Sequence, residues 1–152
     1  MRRRVHRMAD RVRGLLRNSS NSFYPRHMLL GRFEQFFNEN ACNIPGAVNA
    51  LARNDLEEFG EWVDRSQADA ERHLDNQIPE TAELARSARA LGAIAASAFG
   101  AGFGGSVWAM VHSDTAPEFL KRWKADYHQQ FPVRAERSEF FVSAAGAPAV
   151  LF

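Results

Sequence analysis

Apolar positions recur every three or four residues through the first two thirds of the chain, a spacing typical of amphipathic helices. Five segments are predicted as helices, near residues 1–17, 28–40, 45–51, 56–64 and from 79 onward. Pro45 and Pro79 fit the first turn of a helix. Asn43 is the expected N-cap of the helix containing Pro45, and Asn54 or Asp55 that of the next. The N-terminal portion is therefore predicted to be helical.

The pattern changes at Gly92, where small and apolar residues replace the helical spacing. Two apolar runs of strand length flank a cluster of glycines and predict a strand, a loop and a second strand. A helix over residues 115–130 and two short strands near 139–143 and 149–152 complete the prediction. This order favours an α+β fold, in which the helical N-terminal portion precedes a ferredoxin-like small antiparallel sheet with helices packed on one face.

Composition narrows the class of protein without indicating a function. The chain has 152 residues, 45% of them hydrophobic, a length that suits one domain with an appended arm. Cys42 is the only cysteine, which excludes a disulfide framework and a thiolate zinc cluster. No apolar run approaches the ~20 residues of a membrane span. We expect a soluble, cytoplasmic protein with a basic amphipathic arm and linker at residues 1–25 and a domain at residues 26–152.

The net charge of +1 hides two oppositely charged segments. Residues 1–17 hold seven arginines and one acidic residue, and residues 33–83 hold twelve acidic against three basic residues. The basic helix fits a surface helix docked through one apolar stripe. It also fits an adaptor for nucleic acid or an anionic membrane. The acidic segment argues against nucleic-acid binding across the main domain, because phosphates repel it.

Four glycines lie within residues 100–105, here called the glycine loop. The loop matches the G-x-G-x-x-G pattern of dinucleotide-binding proteins, but that site needs a helix directly after it. The residues that follow are β-branched and aromatic and predict a strand, so we reject the dinucleotide interpretation. Glycines permit positive φ and close approach of a ligand, and successive amides can form an anion-binding nest.

Other residues of chemical interest favour structural roles. The five histidines have no metal-ligand spacing, and no neighbour of Cys42 indicates an activated thiol. Trp62, Trp108 and Trp123 fall on apolar faces and are predicted in the core.

The glycine loop and the strand after it resemble the third conserved motif of the GHMP small-molecule kinases, in the version found in galactokinases and related sugar kinases. Further segments resemble other family motifs in the same order. Residues 32–39 resemble R-x-x-H-F-F-x-E, and residues 54–60 resemble G-D-x-x-x-F-G. Ser66 and Pro79-Glu80 fall at the spacing of S-H…C-P-E, and Gly92 fits the glycine before the third motif. The resemblance covers about residues 31–152.

The sequence departs from the family pattern on both sides of the glycine loop. Ala98-Phe99 stands where the family usually has Met-Thr, and Ser106-Val107 stands where it has Cys-Thr. Glutamines, Gln67 among them, replace the histidines of two helical motifs. The loop therefore lacks a threonine hydroxyl and gains a phenyl ring beside it.

The resemblance implies the C-terminal domain of an ATP-dependent sugar-1-kinase, which phosphorylates a monosaccharide as galactokinases do. The family's sugar-holding motif, ATP phosphate loop and catalytic aspartate belong to an N-terminal half, and nothing in residues 1–30 resembles them. We expect no catalytic residue and no metal ligand in this chain, and no tight binding of the implied ATP and Mg²⁺ to it alone. The implied partners are a monosaccharide and an N-terminal kinase half. The implied site residues are Gly100, Ala101, Gly102, Phe103, Gly104, Gly105 and Ser106.

Two other functions remain open from the sequence. The first is a non-catalytic sugar- or protein-binding module that retains the kinase fold, which Phe99 would indicate if its ring filled the space of a phosphate. The second is the adaptor described for the basic helix. A domain that normally packs on another half should also expose an apolar patch, which favours self-association.

Overall fold

The computed structural model describes residues 2–19, 23–144 and 146, in which helices precede a β-hairpin and a further helix. The helices are α1 (Arg2–Asn18), α2 (Arg26–Asn38), α3 (Ile44–Ala52), α4 (Leu56–His73), α5 (Pro79–Ala90) and α6 (Ala116–Gln130), and the strands are β1 (Ala95–Phe99) and β2 (Ser106–Met110). Asp55 caps α4 by accepting a hydrogen bond from the amide of Glu58 at 3.0 Å, which confirms one of the two predicted caps. Within the described ranges, none of the helices combines the length and the apolar character that a membrane span requires.

The second and third predicted helices form one continuous helix. A π-helical turn, Glu39–Asn43, joins α2 to α3, and the amide of Ile44 donates to the carbonyl of Glu39 five residues earlier. This wide turn comes just before Pro45, which has no amide to donate and whose ring crowds the preceding turn. The predicted N-cap at Asn43 is therefore wrong. Its backbone is helical, and its side chain donates to Glu39.

The two strands pair antiparallel, with Ala95 opposite Met110 and Phe99 opposite Ser106. Alternate side chains of the hairpin pack against α5 and α6 and form the core with them. The buried members of this core are Ala85, Ala88, Ala93, Ala96, Phe119 and Trp123. Small alanine side chains let the helices approach the sheet closely. The predicted α+β fold is confirmed.

Gln67 of α4 closes the outer edge of β1. Its Oε1 atom accepts hydrogen bonds from the amide of Ala98 at 2.8 Å and from the hydroxyl of Ser97 at 2.9 Å. An uncovered strand edge leaves amides without partners, and the glutamine oxygen satisfies the amide of Ala98 here. α4 is thus fixed beside the strand that leads into the glycine loop.

Arg89 of α5 fixes α4 and the start of β1 relative to each other. Its guanidinium donates to both carboxylate oxygens of Asp64 on α4 and to the carbonyls of Ala93 and Ile94. Such a planar, charge-assisted arrangement constrains direction as well as distance.

Arg13 docks the basic helix α1 on α2. The guanidinium donates to both carboxylate oxygens of Glu34, at 2.6 and 2.7 Å, and lies over the rings of Phe33 and Phe37. The hydrogen bonds from Arg13 lower the pKa of Glu34 below its usual value. In this structure the basic segment therefore packs against the rest of the chain through one face.

The strand predicted at residues 139–143 is wrong. This segment follows a 3₁₀ turn, Pro132–Arg137, and forms no strand. The ring of Phe140 packs against Trp123 and Tyr127 instead, with centroids 5.4 and 5.8 Å apart. Phe140, whose apolar side chain favoured a strand in the sequence, therefore packs among aromatic rings instead. The strand predicted at residues 149–152 lies outside the described residues.

Candidate functional site

The glycine loop connects β1 to β2, and most of its residues have backbone angles that side chains disfavour. φ lies between 86° and 119° at Gly100, Gly102, Gly104 and Gly105, and it is 61° at Phe103. Glycine adopts such angles without a steric penalty, whereas a side chain in the left-handed region costs roughly 1–2 kcal/mol. Backbone conformation therefore accounts for all four glycines.

Asn76, between α4 and α5, holds the glycine loop from one side. Its side-chain amide donates to the backbone carbonyl of Ala101 at 3.0 Å, and its backbone carbonyl accepts a hydrogen bond from the backbone amide of Phe103 at 2.5 Å. Gly102 lies so close to this carbonyl that a Cβ atom would collide with it. The contact requires glycine at this position in addition to the positive φ.

The other side of the glycine loop is open. No described atom beyond the adjacent residues lies within 4 Å of the Cβ position at Gly100 or Gly105. The backbone amides of Gly100, Gly104 and Gly105 donate no hydrogen bond to a backbone carbonyl of the described residues. Amides in a positive-φ loop without internal acceptors suit an anion. The arrangement fits oxygens of a phosphoryl group.

The seven predicted site residues lie together at this end of the hairpin. The side chain of Phe103 is 75% exposed, and Ala101 and Ser106 are also exposed. Phe99, opposite Ser106, is 68% exposed, and no described atom outside its neighbours lies near the Cβ position of Gly105. The ring of Phe99 therefore does not fill the open side of the loop at Gly105.

Asn76 belongs to the site, but the sequence pattern does not predict it there. The available signal was a polar Asp-Asn pair between two predicted helices, which indicates a turn. Asn76 contacts Ala101, 25 residues away along the chain. Nothing in the local pattern points to so distant a partner.

Glu80, the acidic residue of the segment that resembles C-P-E, contacts a different part of the fold. Its pKa is lowered by a hydrogen bond from its own backbone amide and then by Arg134, whose Nε donates to Glu80 at 2.9 Å. A hydrogen bond from a backbone amide is expected for a carboxylate at the N-terminus of a helix. Glu80 therefore ties α5 to the 3₁₀ turn after α6.

Backbone amides such as those of the glycine loop can donate to an anion, but they cannot act as ligands of a magnesium ion. Magnesium prefers oxygen ligands from carboxylates, carbonyls and water. Across residues 2–19, 23–144 and 146, no three histidine, cysteine or acidic side chains form a group that could hold a metal ion.

The glycine loop lies within a segment that matches a known protein family. The family model described as GHMP kinases C terminal matches residues 47–129, more than half of the chain. The chain belongs to the GHMP kinase family, through its C-terminal domain. The matched segment runs from α3 through the hairpin to the end of α6, so it includes Asn76 and the whole glycine loop. No curated protein sequence matches the chain significantly.

Proposed function

We propose that this domain forms one wall of the active site of an ATP-dependent sugar-1-kinase related to galactokinases. Membership of the GHMP kinases supplies the class of reaction, which is phosphoryl transfer. The sugar is inferred from the order of motifs, above all from Phe103 before the Gly104-Gly105 pair. ATP, Mg²⁺ and the base that activates the sugar hydroxyl come from an N-terminal kinase half in this proposal.

The open amides of the glycine loop carry the proposal. The backbone amides of Gly100, Gly104 and Gly105 have no acceptor among the residues that the structure describes, while Asn76 holds the loop from the other side. Donors that are fixed before the reaction stabilise developing negative charge without reorganising. In phosphoryl transfer this charge lies on the equatorial oxygens of the transferred group. The loop would donate to those oxygens and position the acceptor sugar beside them.

A non-catalytic binding module is the second candidate, and the exposed aromatic rings favour it. Phe99, just before the loop, and Phe103, within it, are both largely exposed, as aromatic residues of protein-contact surfaces often are. Phe99 also replaces the threonine usual in the family. In this alternative the loop would contact a partner through its rings, and the open amides would have no catalytic role.

ATP hydrolysis measured across a panel of hexoses, pentoses and uronic acids tests the kinase proposal. The chain is assayed alone and with the N-terminal half of a galactokinase-type enzyme. We expect sugar-dependent turnover only in the mixture, because the loop supplies donors but neither metal site nor base. The sugar with the highest kcat/KM identifies the substrate class.

Binding must be measured alongside turnover in this assay. A mixture in which the halves associate and bind the sugar, but release no ADP, would contradict the kinase proposal and favour the binding module. Turnover by the chain alone would contradict the proposed division of the active site between two halves.

A further inference from the structure

A cleft of about 310 Å³ lies between the continuous helix, α4 and the hairpin, and no residue of the glycine loop lines it. Trp108 on β2 forms part of its wall. The apolar pattern around Trp108 predicted a core position, yet the side chain is 38% exposed. Its neighbours Val107 and Ala109 pack toward the core formed with α5 and α6. Because strand side chains alternate, Trp108 faces the opposite side, toward the cleft.

The polar centre of this cleft is the carboxylate of Glu39. Its Oε2 atom accepts hydrogen bonds from the hydroxyl of Ser66 at 2.8 Å and from the side-chain amide of Asn43 at 3.2 Å. Its Oε1 atom accepts none from the described residues near it. The π-helical turn brings Glu39 and Asn43 to the same side of the helix, and such turns often occur at functional sites.

Asn43 provides a second acceptor. Its residue is only 2% exposed, and its side-chain nitrogen is used by Glu39. Every fully buried side-chain nitrogen or oxygen of the described residues has a hydrogen-bond partner. No described donor bonds to Oδ1 of Asn43, so this oxygen is not among the fully buried atoms, and Asn43 lines the cleft. Two acceptor oxygens, from Glu39 and Asn43, are thus available to a ligand.

Charge indicates what this ligand would be. No described arginine, lysine or histidine forms an ion pair with Glu39, and its two partners are neutral. Residues 33–83, which include most of this cleft, are strongly acidic. Trp108 and Phe59 both line the cleft, and an aromatic ring attracts a cation that lies over its face. A bound positive charge would therefore be stabilised by both the carboxylate and the rings.

We propose that this cleft binds a small organic cation that carries N–H donors, as a primary alkylammonium or guanidinium group does. Its nitrogen would donate to Glu39 and Asn43, and its carbon chain would lie against Trp108. A quaternary ammonium offers charge but no N–H donor, and an alcohol offers a donor but no charge. The inference uses none of the contacts of the glycine loop and does not depend on the proposed kinase activity.

Titration of the ¹⁵N-labelled protein with n-butylammonium chloride, at constant ionic strength, tests this proposal. We expect a saturable shift of the Trp108 indole signal, which is assigned by its loss in Trp108→Phe. Tetramethylammonium and n-butanol serve as matched probes and should give no saturable shift. Nα-acetyl-lysine amide distinguishes the source of the cation, since tighter binding than n-butylammonium would indicate a side chain of a protein partner.

The variants Glu39→Gln and Trp108→Ala provide the second part of the test. Glutamine keeps an acceptor for Ser66 and Asn43 but removes the charge, so we expect at least about tenfold weaker binding of n-butylammonium. Trp108→Ala, which lacks the indole signal and is therefore titrated by calorimetry, should also bind n-butylammonium more weakly, whereas Glu61→Gln, on the exposed side of α4, should not. Absence of saturation, equal binding of n-butanol, or unchanged affinity in Glu39→Gln would each overturn the proposal.

Discussion

At Gly102 two independent constraints act on one residue. Its φ is 86°, and the carbonyl of Asn76 occupies the space that a Cβ atom would need. Either constraint alone disfavours a side chain. The loop conformation therefore depends on this position more than on Gly100 or Gly105, where space is open.

Gly102→Ala should lower the free energy of unfolding by about 1–3 kcal/mol, because the strained φ and the collision with Asn76 both act in the folded state. Gly14→Ala is the matched control. Gly14 lies inside α1 with no atom near its Cβ position, so alanine should stabilise that variant by up to about 1 kcal/mol. Urea denaturation measures both, and similar values for the two variants would contradict the assigned geometry.

Some residues of the site are readable from the sequence, and others are not. The glycines are predictable because their spacing implies unusual backbone angles, and the structure has them. Asn76 is not, because its role comes from a contact across 25 residues. Trp108 was assigned to the core because hydrophobicity alone does not tell which face of a two-stranded sheet is covered.

Among the elements, the docking of α1 on α2 has a titratable component. The hydrogen bonds from Arg13 lower the pKa of Glu34, so the ionised carboxylate stabilises the folded state. This contribution is complete above the pKa of the unfolded chain, about 4.3. It is lost as the pH falls through the lower pKa of the folded state.

Glu34→Gln should therefore destabilise the protein at pH 7, and the difference from the unmodified chain should shrink as the pH falls below about 4. Thermal unfolding followed between pH 7 and pH 3 measures this difference. Glu136→Gln, at an exposed glutamate of the 3₁₀ turn, is the control and should follow the unmodified chain at every pH. A constant offset for Glu34→Gln across this range would show that the ion pair does not contribute.

The helices were predictable as elements because each carries a strong period of apolar residues. The join between α2 and α3 was not, because Pro45 normally starts a helix, and here a π-helical turn accommodates it instead. Residues 139–143 were misassigned for a related reason. A short apolar run fits a strand or a packed loop equally well, and the rings of Trp123 and Tyr127 decided the outcome.

For the whole molecule, the order of motifs was more informative than any one of them. The glycine loop alone matches a dinucleotide fingerprint that the fold excludes, because β2 and not a helix follows it. The ordered set predicted the GHMP kinase family, which the family match confirms. The substrate stays a proposal, because the family match covers the C-terminal domain and names no substrate.

The central claim is that the glycine loop stabilises the transferred phosphoryl group. In a chimaera, residues 26–152 replace the C-terminal domain of a galactokinase-type enzyme. Its kcat is measured with the intact loop, with Gly102→Ala and with Val133→Ala. Val133 serves as the control because its side chain is exposed and lies far from the loop in sequence. We predict turnover with the intact loop, about hundredfold lower kcat in Gly102→Ala, and no change in Val133→Ala. A folded, sugar-binding chimaera with no turnover, or one in which Gly102→Ala turns over as fast as the intact loop, would contradict the claim.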